Sequence, residues 1–232
     1  MTISRQIATA IKNSNWIRKM FEEGNRRIEK YGHENVFDLS IGNPVFEPPP
    51  LLRQKLLEIL KSDLRGTHRY MPNAGYDHTR EYISEKLGAE TSLAFNKNDI
   101  VMTVGAGGGL NVILKTLLNP GEEVLVLKPH FMEYIAYSEN HSGRVSAVRT
   151  TDEFHLDFSE LEKGLRPETK AVLINSPNNP TGVVYSKDEL NKLGDLLRNK
   201  SVEYSKPITL ICDEPYKKIL YIKEIHSVFH AY

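Results

Sequence analysis

The sequence beyond residue 96 alternates short apolar runs with stretches of helical periodicity, and this alternation constrains the fold more strongly than any single motif. The apolar runs predict five strands, at residues 100–104, 123–127, 144–148, 171–174 and 208–212. Between them, leucines and isoleucines three and four positions apart predict helices such as 110–118 and 190–197. This alternation is typical of βαβ units, whose strands form a parallel sheet. We therefore predict an α/β fold, a three-layer sandwich with a mostly parallel sheet.

The first hundred residues are less regular. Apolar residues at helical spacing predict helices over 15–28, 52–60 and 79–87, and a short apolar run predicts a strand over 36–41. Residues 42–50 contain several prolines, which interrupt regular structure. This segment therefore indicates a connector between two parts of the chain.

The composition narrows the classes of partner. Thirty Lys and Arg balance thirty Asp and Glu, so no overall charge attracts nucleic acid or an anionic membrane, and we expect a small-molecule partner instead. Cys212 is the single cysteine, which excludes a disulfide within the chain and a cysteine zinc cluster, and we expect no metal. No apolar run approaches the length that spans a bilayer. A cytoplasmic location is the default expectation.

Four unusual segments follow four of the predicted strands. They are the glycine-rich run 105–109, the segment 128–131, the string 175–182 and the segment 213–216. In open α/β sheets, ligands bind in the crevice outside the carboxyl ends of the strands. The four segments are therefore expected to converge on one crevice.

Each segment has a chemical interpretation. The glycine run, placed before a helix, leaves backbone N–H groups open to an anion such as a phosphate. Phe131 offers a face for a flat ring, and Asn179 offers an amide held by the turn that follows it. Asp213 ends an apolar strand, where a carboxylate favours a cationic partner such as a protonated ring nitrogen, and Tyr216 follows it closely. The plainer alternatives are a tight turn for the glycine run, a core aromatic ring for Phe131, an ordinary loop for Asn179 and a helix N-cap for Asp213.

Taken together, these residues resemble the class I and II aminotransferases, which are fold-type I enzymes dependent on pyridoxal 5'-phosphate. The strings that carry the resemblance are Ser-Pro-Asn-Asn-Pro-Thr-Gly at 176–182, Asp-Glu-Pro-Tyr at 213–216 and Asp-Leu-Ser-Ile-Gly-Asn-Pro at 38–44. The resemblance extends from about residue 15 to the end of the sequence. It implies that residues 1–50 belong to a small domain and residues 51–232 to the cofactor-binding large domain.

The resemblance also implies a role for each matching residue. Gly105, Ala106 and Gly107 would donate backbone N–H bonds to the cofactor phosphate, and Phe131 would stack on the pyridine ring. Asp213 would keep the ring nitrogen protonated.

Further matches concern the phenolic oxygen, the substrate and the quaternary structure. Asn179 and Tyr216 would bind the phenolic oxygen of the cofactor, and Gly42 would lie near the substrate carboxylate. Tyr70 would reach the phosphate held by a partner subunit, which implies a homodimer. The implied substrates are an amino acid and a 2-oxo acid.

The sequence departs from the family pattern at its end. The Schiff-base lysine of the family should follow Asp213 after a further strand, and the chain ends at Tyr232 before such a position. Lys217 and Lys218 stand where the family has no such lysine, so we assign no catalytic residue. We expect a truncated form that is inactive alone, in which the strand at 100–104 lacks a sheet neighbour.

Three functions fit the sequence. The first is an aminotransferase. The second is a pyridoxal-phosphate-dependent lyase or synthase of the same fold, and the third is a non-catalytic fragment that binds the cofactor or dimerises. A dehydrogenase is disfavoured, because the glycine run lacks the spacing of the dinucleotide fingerprint.

Overall fold

The computed structural model describes residues 2–13, 15–39, 42, 46–62, 64–222 and 225–231. The chain forms two compact units, Met1–Arg69 and Tyr70–Tyr232. Each unit has its own pattern of elements, and the sheet lies in the second.

The first unit is helical in the part that is described. It contains α1 (Arg5–Asn13), α2 (Asn15–Tyr31) and α3 (Pro50–Lys61). The predicted helices over 15–28 and 52–60 are thus confirmed, and α3 begins with a proline, which has no N–H to leave unpaired in a first turn. The strand predicted over 36–41 is wrong for 36–39, which form no strand, and residues 40 and 41 lie outside the described part.

The second unit is built on four parallel strands. In chain order its elements are α4 (Asp77–Thr91), α5 (Gly105–Leu117), β1 (Glu123–Lys128), α6 (Glu133–Glu139), β2 (Arg144–Arg149), α7 (Phe158–Gly164), β3 (Thr169–Asn175), α8 (Lys187–Glu203) and β4 (Thr209–Asp213). The strand order in the sheet is β2-β1-β3-β4, and each neighbouring pair is parallel. The predicted α/β class and the parallel sheet are confirmed.

Apolar side chains cover both faces of this sheet. On one face, Leu125 and Val172 pack with Leu161 of α7 and Leu193 of α8, all fully buried. On the other face, Val124, Val126, Ala171 and Leu173 pack with side chains of α5 and α6, Leu114 and Tyr134 among them. Strands buried on both faces are continuous apolar runs in the sequence. The two cores make the second unit a three-layer sandwich.

The first of the five predicted strands, at 100–104, is not a strand in the structure. Ile100 has extended backbone angles, φ −116° and ψ 129°, but residues 100–104 join no ladder of the described sheet. The amide of Met102 donates instead to the carbonyl of Ala74, with an N to O distance of 2.9 Å. A strand requires a neighbouring strand for its hydrogen bonds, so an apolar run without one stays extended and unpaired.

The start of α8 is held by two reciprocal hydrogen bonds. Ser186 precedes α8, and its hydroxyl accepts a bond from the amide of Glu189. The Glu189 carboxylate in turn accepts from the amide of Ser186, at 2.9 Å. This reciprocal pair is a capping box, and its Ser-x-x-Glu pattern at 186–189 is visible in the sequence. Among the described residues, no helix is both long enough and apolar enough to cross a membrane.

Candidate functional site

A cavity of about 280 Å³ lies at the carboxyl ends of the strands in the second unit. Residues from all four of the segments singled out in the sequence line it. The lining residues are Ala106, Gly107, Leu110, Phe131, Tyr134, Tyr137, Asn175, Asn179, Asp213, Pro215 and Tyr216. This volume is close to the lower end, about 300 Å³, of the range for small-molecule sites in proteins, so the cavity suits a compact ligand.

The ends of β3 and β4 place two polar side chains next to each other. Asn175 and Asp213 are the last residues of these strands and face each other in the ladder. The side-chain Nδ2 of Asn175 donates to the backbone carbonyl of Asp213 at 2.7 Å. The Oδ1 atom of Asn175 accepts from the backbone amide of Asn179 at 2.5 Å. The Asn175 side chain, which is buried, therefore ties the loop after β3 to the end of β4.

The loop after β3 is held by a second asparagine. The Oδ1 atom of Asn178 accepts from the amide of Thr181 at 3.2 Å and from its hydroxyl at 2.9 Å. The Asn178 carbonyl accepts from the amide of Gly182, whose φ of +75° suits glycine. These bonds fix the turn, and the next side chain, Asn179, reaches the cavity.

Asn179 meets Tyr216 across the cavity wall. Its Nδ2 atom donates to the Tyr216 hydroxyl at 3.2 Å, although the two residues are 37 positions apart in sequence. Tyr216 itself is 37% exposed. An amide and a phenol at this distance can both bind one oxygen of a ligand.

The carboxylate of Asp213 has a buried tyrosine as its partner. The hydroxyl of Tyr134 donates to Oδ2 of Asp213 at 2.8 Å, and Tyr134 is only 2% exposed. Burial, and then the hydrogen bond to Asp213, raise the pKa of Tyr134 far above its usual range. The phenol therefore stays protonated and acts as a donor to the carboxylate.

Phe131 follows β1 and lies just before α6. Its ring meets the Tyr134 ring edge to face, with centroids 5.6 Å apart and planes at 80°. The side chain is still 37% exposed and lines the cavity. An exposed aromatic ring in a cavity wall can stack on a flat ligand.

The glycine-rich run forms the first turn of α5, whereas the sequence predicted a loop before that helix. Gly105 begins α5 with a φ of +67°, and Ala106 and Gly107 line the cavity. A Cβ atom on Gly107 would lie 2.9 Å from the Tyr137 hydroxyl, so the absence of a side chain keeps this wall open. The first backbone N–H groups of a helix have no partner within it and favour an anion.

Three predicted site residues, Gly105, Tyr70 and Gly42, are not among the residues that line this cavity. The backbone N–H of Gly105 donates to the carbonyl of Thr103 at 3.0 Å. The Tyr70 side chain is fully exposed to solvent. Gly42 belongs to the first unit, and a Cβ atom built on it would meet nothing within 4 Å. The predicted roles of Tyr70 and Gly42 concern a partner subunit and a substrate, and they remain predictions.

Lys217 and Lys218 contact a different cavity, of about 700 Å³, that is also lined by His226 and His230. The ammonium group of Lys218 lies 3.0 Å from the Glu90 carboxylate, and that of Lys217 lies 3.4 Å from the Glu214 carboxylate. Both lysines are therefore ion-paired outside the cavity that holds Asp213.

Sequence reasoning missed Tyr134, Tyr137 and Asn175. The spacing of 134 and 137 was a usable signal, because residues three apart on a helix share a face. Asn175 opens the string 175–182, but nothing local shows that its side chain bonds to Asp213. Such a contact depends on the order of the strands in the sheet.

Comparison with known proteins finds a family model and several relatives that match this chain. Residues 34–228 match the family model described as aminotransferase class I and II. A probable aspartate aminotransferase of Methanocaldococcus jannaschii is 31% identical over 203 residues, which are 87% of this chain and 52% of that protein. An aspartate aminotransferase of Pyrococcus abyssi is 35% identical over 90% of this chain and 51% of its own length. The chain thus spans about half the length of these curated relatives.

Solved structures give the same result. An amino transferase from Eubacterium rectale superposes with a TM-score of 0.94 and 34% identity, covering 100% of this chain and 59% of that one. An aspartate aminotransferase from Thermotoga maritima superposes with a TM-score of 0.81 and 29% identity, covering 99% of this chain and 58% of that one.

Proposed function

The chain belongs to the aminotransferase class I and II family, and we propose from this premise that its cavity binds pyridoxal 5'-phosphate. We propose further that the protein transfers an amino group between an amino acid and a 2-oxo acid. The observation that carries the proposal is the convergence of four strand-end segments on one cavity, with a carboxylate, an amide–phenol pair and a helix N-terminus in its walls.

The chemistry of these groups fits the cofactor. A flat cationic ring with a phenolic oxygen and a phosphate needs an anion, polar donors, an aromatic face and an anion-binding backbone. The cavity offers Asp213, the Asn179–Tyr216 pair, Phe131 and the first turn of α5. A Cβ atom added to Gly107 would collide with the Tyr137 hydroxyl. The absence of a side chain at this position therefore supports a ligand that approaches the backbone.

Each group has a proposed task. When bound, pyridoxal phosphate supplies an electron sink for the bonds of the substrate carbon. Asp213 holds the proton on the ring nitrogen, because a carboxylate favours the cationic form of a neighbouring base. Asn179 and Tyr216 bind the phenolic oxygen, and Phe131 orients the ring by stacking.

The phosphate is assigned to the amino end of α5. The backbone N–H groups of Ala106 and Gly107 bind it there, since the helix dipole favours an anion at this end. The N–H of Gly105 is proposed to join them by releasing the carbonyl of Thr103, to which it donates in the free chain. Gly42 is proposed to lie near the substrate carboxylate, and Tyr70 to reach the phosphate in a partner subunit of a homodimer. The complete exposure of Tyr70 supports a role outside its own chain.

The domain assignment also belongs to this proposal. Residues 1–50 are assigned to a small domain and residues 51–232 to the cofactor-binding domain. The sheet and its cavity, which lie in the unit Tyr70–Tyr232, support the second assignment. We further propose a cytoplasmic location, for which the single cysteine is modest support.

Amino transfer is preferred over a lyase or synthase reaction, because the relatives reported above carry aminotransferase names. The relatives are not all named for the same substrate, because an aromatic-amino-acid aminotransferase of Thermococcus litoralis is also among them. The amino donor is therefore proposed only as an amino acid. No covalent role is assigned to Lys217 or Lys218, which pair with acidic side chains at the other cavity.

The proposal is tested by titrating the 232-residue chain with pyridoxal phosphate and recording its absorbance. We expect saturable binding and, after borohydride, no added mass on the protein. Asn179→Ala should weaken binding by about tenfold, because a hydrogen bond to a charged oxygen is lost. Asn191→Ala is the matched control, since Asn191 lines the other cavity, and it should bind as the unchanged chain does.

Two results would contradict the proposal. One is the absence of saturable binding. The other is equal weakening by Asn179→Ala and Asn191→Ala, which would place the ligand outside the cavity at the strand ends. A borohydride adduct on Lys217 or Lys218 would overturn the assignment of those lysines.

A further inference from the structure

We infer that Tyr134 is a positioning residue, which holds the Asp213 carboxylate in the orientation that a ring nitrogen requires. The inference rests on the proposed function, because it assigns a task to Tyr134 within the same cavity. Tyr134 is not among the groups expected to touch the cofactor ring, phosphate or phenolic oxygen. Its effect would pass through Asp213.

The packing of Tyr134 leaves its hydroxyl little freedom. The ring is 2% exposed and lies in the core formed by α5, α6 and one face of the sheet, against residues such as Leu110 and Leu173. It also meets the ring of Phe131 at 5.6 Å and the ring of His130 at 6.3 Å. A side chain held on these sides presents its hydroxyl at one place, 2.8 Å from Oδ2 of Asp213.

An aspartate needs such a partner because its terminal torsion is soft. The χ2 angle of Asp is broadly distributed, so a half-buried carboxylate can rotate unless something holds it. Tyr134 binds Oδ2, which assigns Oδ1 to the cation that Asp213 is proposed to meet. The phenol is a dependable donor here, since burial and Asp213 both raise the pKa of Tyr134.

The position of Tyr134 on α6 also links two parts of the site. Phe131 lies three residues earlier, and the two rings are in contact. The residue proposed to stack on the ring and the residue that orients Asp213 are therefore in direct contact within one short segment, 131–134. A ligand ring resting on Phe131 would meet a carboxylate whose direction is fixed from the helix that follows Phe131.

The test compares Tyr134→Phe with the unchanged chain, using two ligands. One ligand is pyridoxal phosphate, and the other is its 1-deaza analogue, in which a CH group replaces the ring nitrogen. Loss of a hydrogen bond to a charged group should weaken binding of pyridoxal phosphate by about tenfold. Binding of the deaza analogue should change by less than about twofold, because it presents no nitrogen to Asp213.

Tyr204→Phe is the matched control. The Tyr204 hydroxyl also donates from a partly buried position, to the carbonyl of Leu165 at 3.0 Å, and it packs against the core on the other face of the sheet. The Tyr204→Phe variant should lower the urea midpoint to an extent similar to Tyr134→Phe, and it should leave the affinities for pyridoxal phosphate and for the deaza analogue unchanged. Equal weakening of both ligands by Tyr134→Phe would show a merely structural role and overturn the inference.

A second measurement decides the inference without any ligand. The urea midpoints of Tyr134→Phe, Asp213→Ala and the double variant form a thermodynamic cycle. We expect the midpoint shift of the double variant to be smaller than the sum of the single shifts, since both single changes remove the same bond. Additive shifts would overturn the inference. Failure of the unchanged chain to bind pyridoxal phosphate would overturn the proposed function, whatever the cycle shows.

Discussion

Replacing Gly107 by alanine tests the amino end of α5 as an anion site. Gly107 is the third residue of this helix, and its added Cβ atom would lie 2.9 Å from the hydroxyl of Tyr137. A real Cβ atom does not approach so closely, so the Tyr137 side chain must move. Gly108 provides a matched control, because a Cβ atom there lies 3.7 Å from the Cβ atoms of Thr103 and Val104, an ordinary contact.

The expected magnitudes follow from these distances. Alanine is favoured over glycine within a helix by up to about 1 kcal/mol, so Gly108→Ala should raise the free energy of unfolding by up to that amount. Gly107→Ala gains the same propensity but must displace the Tyr137 hydroxyl, and the resulting side-chain strain costs up to about 0.5–1.5 kcal/mol. The two variants should therefore differ by about 1 kcal/mol in stability.

The affinity for pyridoxal phosphate should separate the two variants further. The methyl group on Gly107 enters the cavity wall and moves Tyr137, so we expect binding about tenfold weaker, a loss of roughly 1.4 kcal/mol. Gly108→Ala keeps its backbone N–H and should bind within about twofold of the unchanged chain. Urea unfolding followed by circular dichroism gives the stabilities, and an absorbance titration gives the affinities. Equal stability and equal affinity for both variants would refute the assigned packing of Gly107 and the phosphate position.

Three further predictions concern the core, the pH dependence and the aromatic wall. Leu193→Ala removes a fully buried side chain and should lower the unfolding free energy by about 2–5 kcal/mol, so a loss below about 1 kcal/mol would contradict the described packing of α8. Burial favours the neutral form of Glu189, but hydrogen bonds from Ser186 and His155 outweigh it and lower the pKa of Glu189 below the usual 4.5. The stabilising effect of the Glu189 carboxylate is therefore present above about pH 4.5 and is lost as the pH falls through the lowered pKa. In urea titrations, the Glu189→Gln variant should therefore lose less stability on acidification than the unchanged chain. Phe131→Leu should weaken pyridoxal phosphate binding by about three- to tenfold in the absorbance titration, and unchanged affinity would exclude ring stacking at this position.

The elements of the sheet were predictable because their cause is local. The central strands β1 and β3 are apolar runs buried on both faces, and the outer strands β2 and β4 are apolar runs that are mostly half-buried. The capping box at Ser186 marks the start of α8. Residues 100–104 have the same apolar character but no strand beside them, and strand pairing depends on distant residues. The sequence pattern alone therefore could not separate this extended segment from a true strand.

The sequence predicted which residues belong to the candidate site better than it predicted the hydrogen bonds between them. The carboxyl ends of parallel strands lie at one edge of a sheet, which is why Asp213 and Asn179 could be expected together. The bond from Tyr134 to Asp213 joins residues 79 positions apart, and its existence depends on how α6 packs on the sheet. The glycine run was placed before the helix, because the apolar pattern of that helix begins at Leu110, yet α5 begins at Gly105.

The central claim is that pyridoxal phosphate binds at the strand ends, and amide chemical-shift mapping tests it most directly. A ¹⁵N-labelled chain titrated with pyridoxal phosphate should show its largest shifts at Ala106, Gly107, Phe131 and Asn179. Largest shifts at Lys217 and His226, which line the other cavity, would contradict the account.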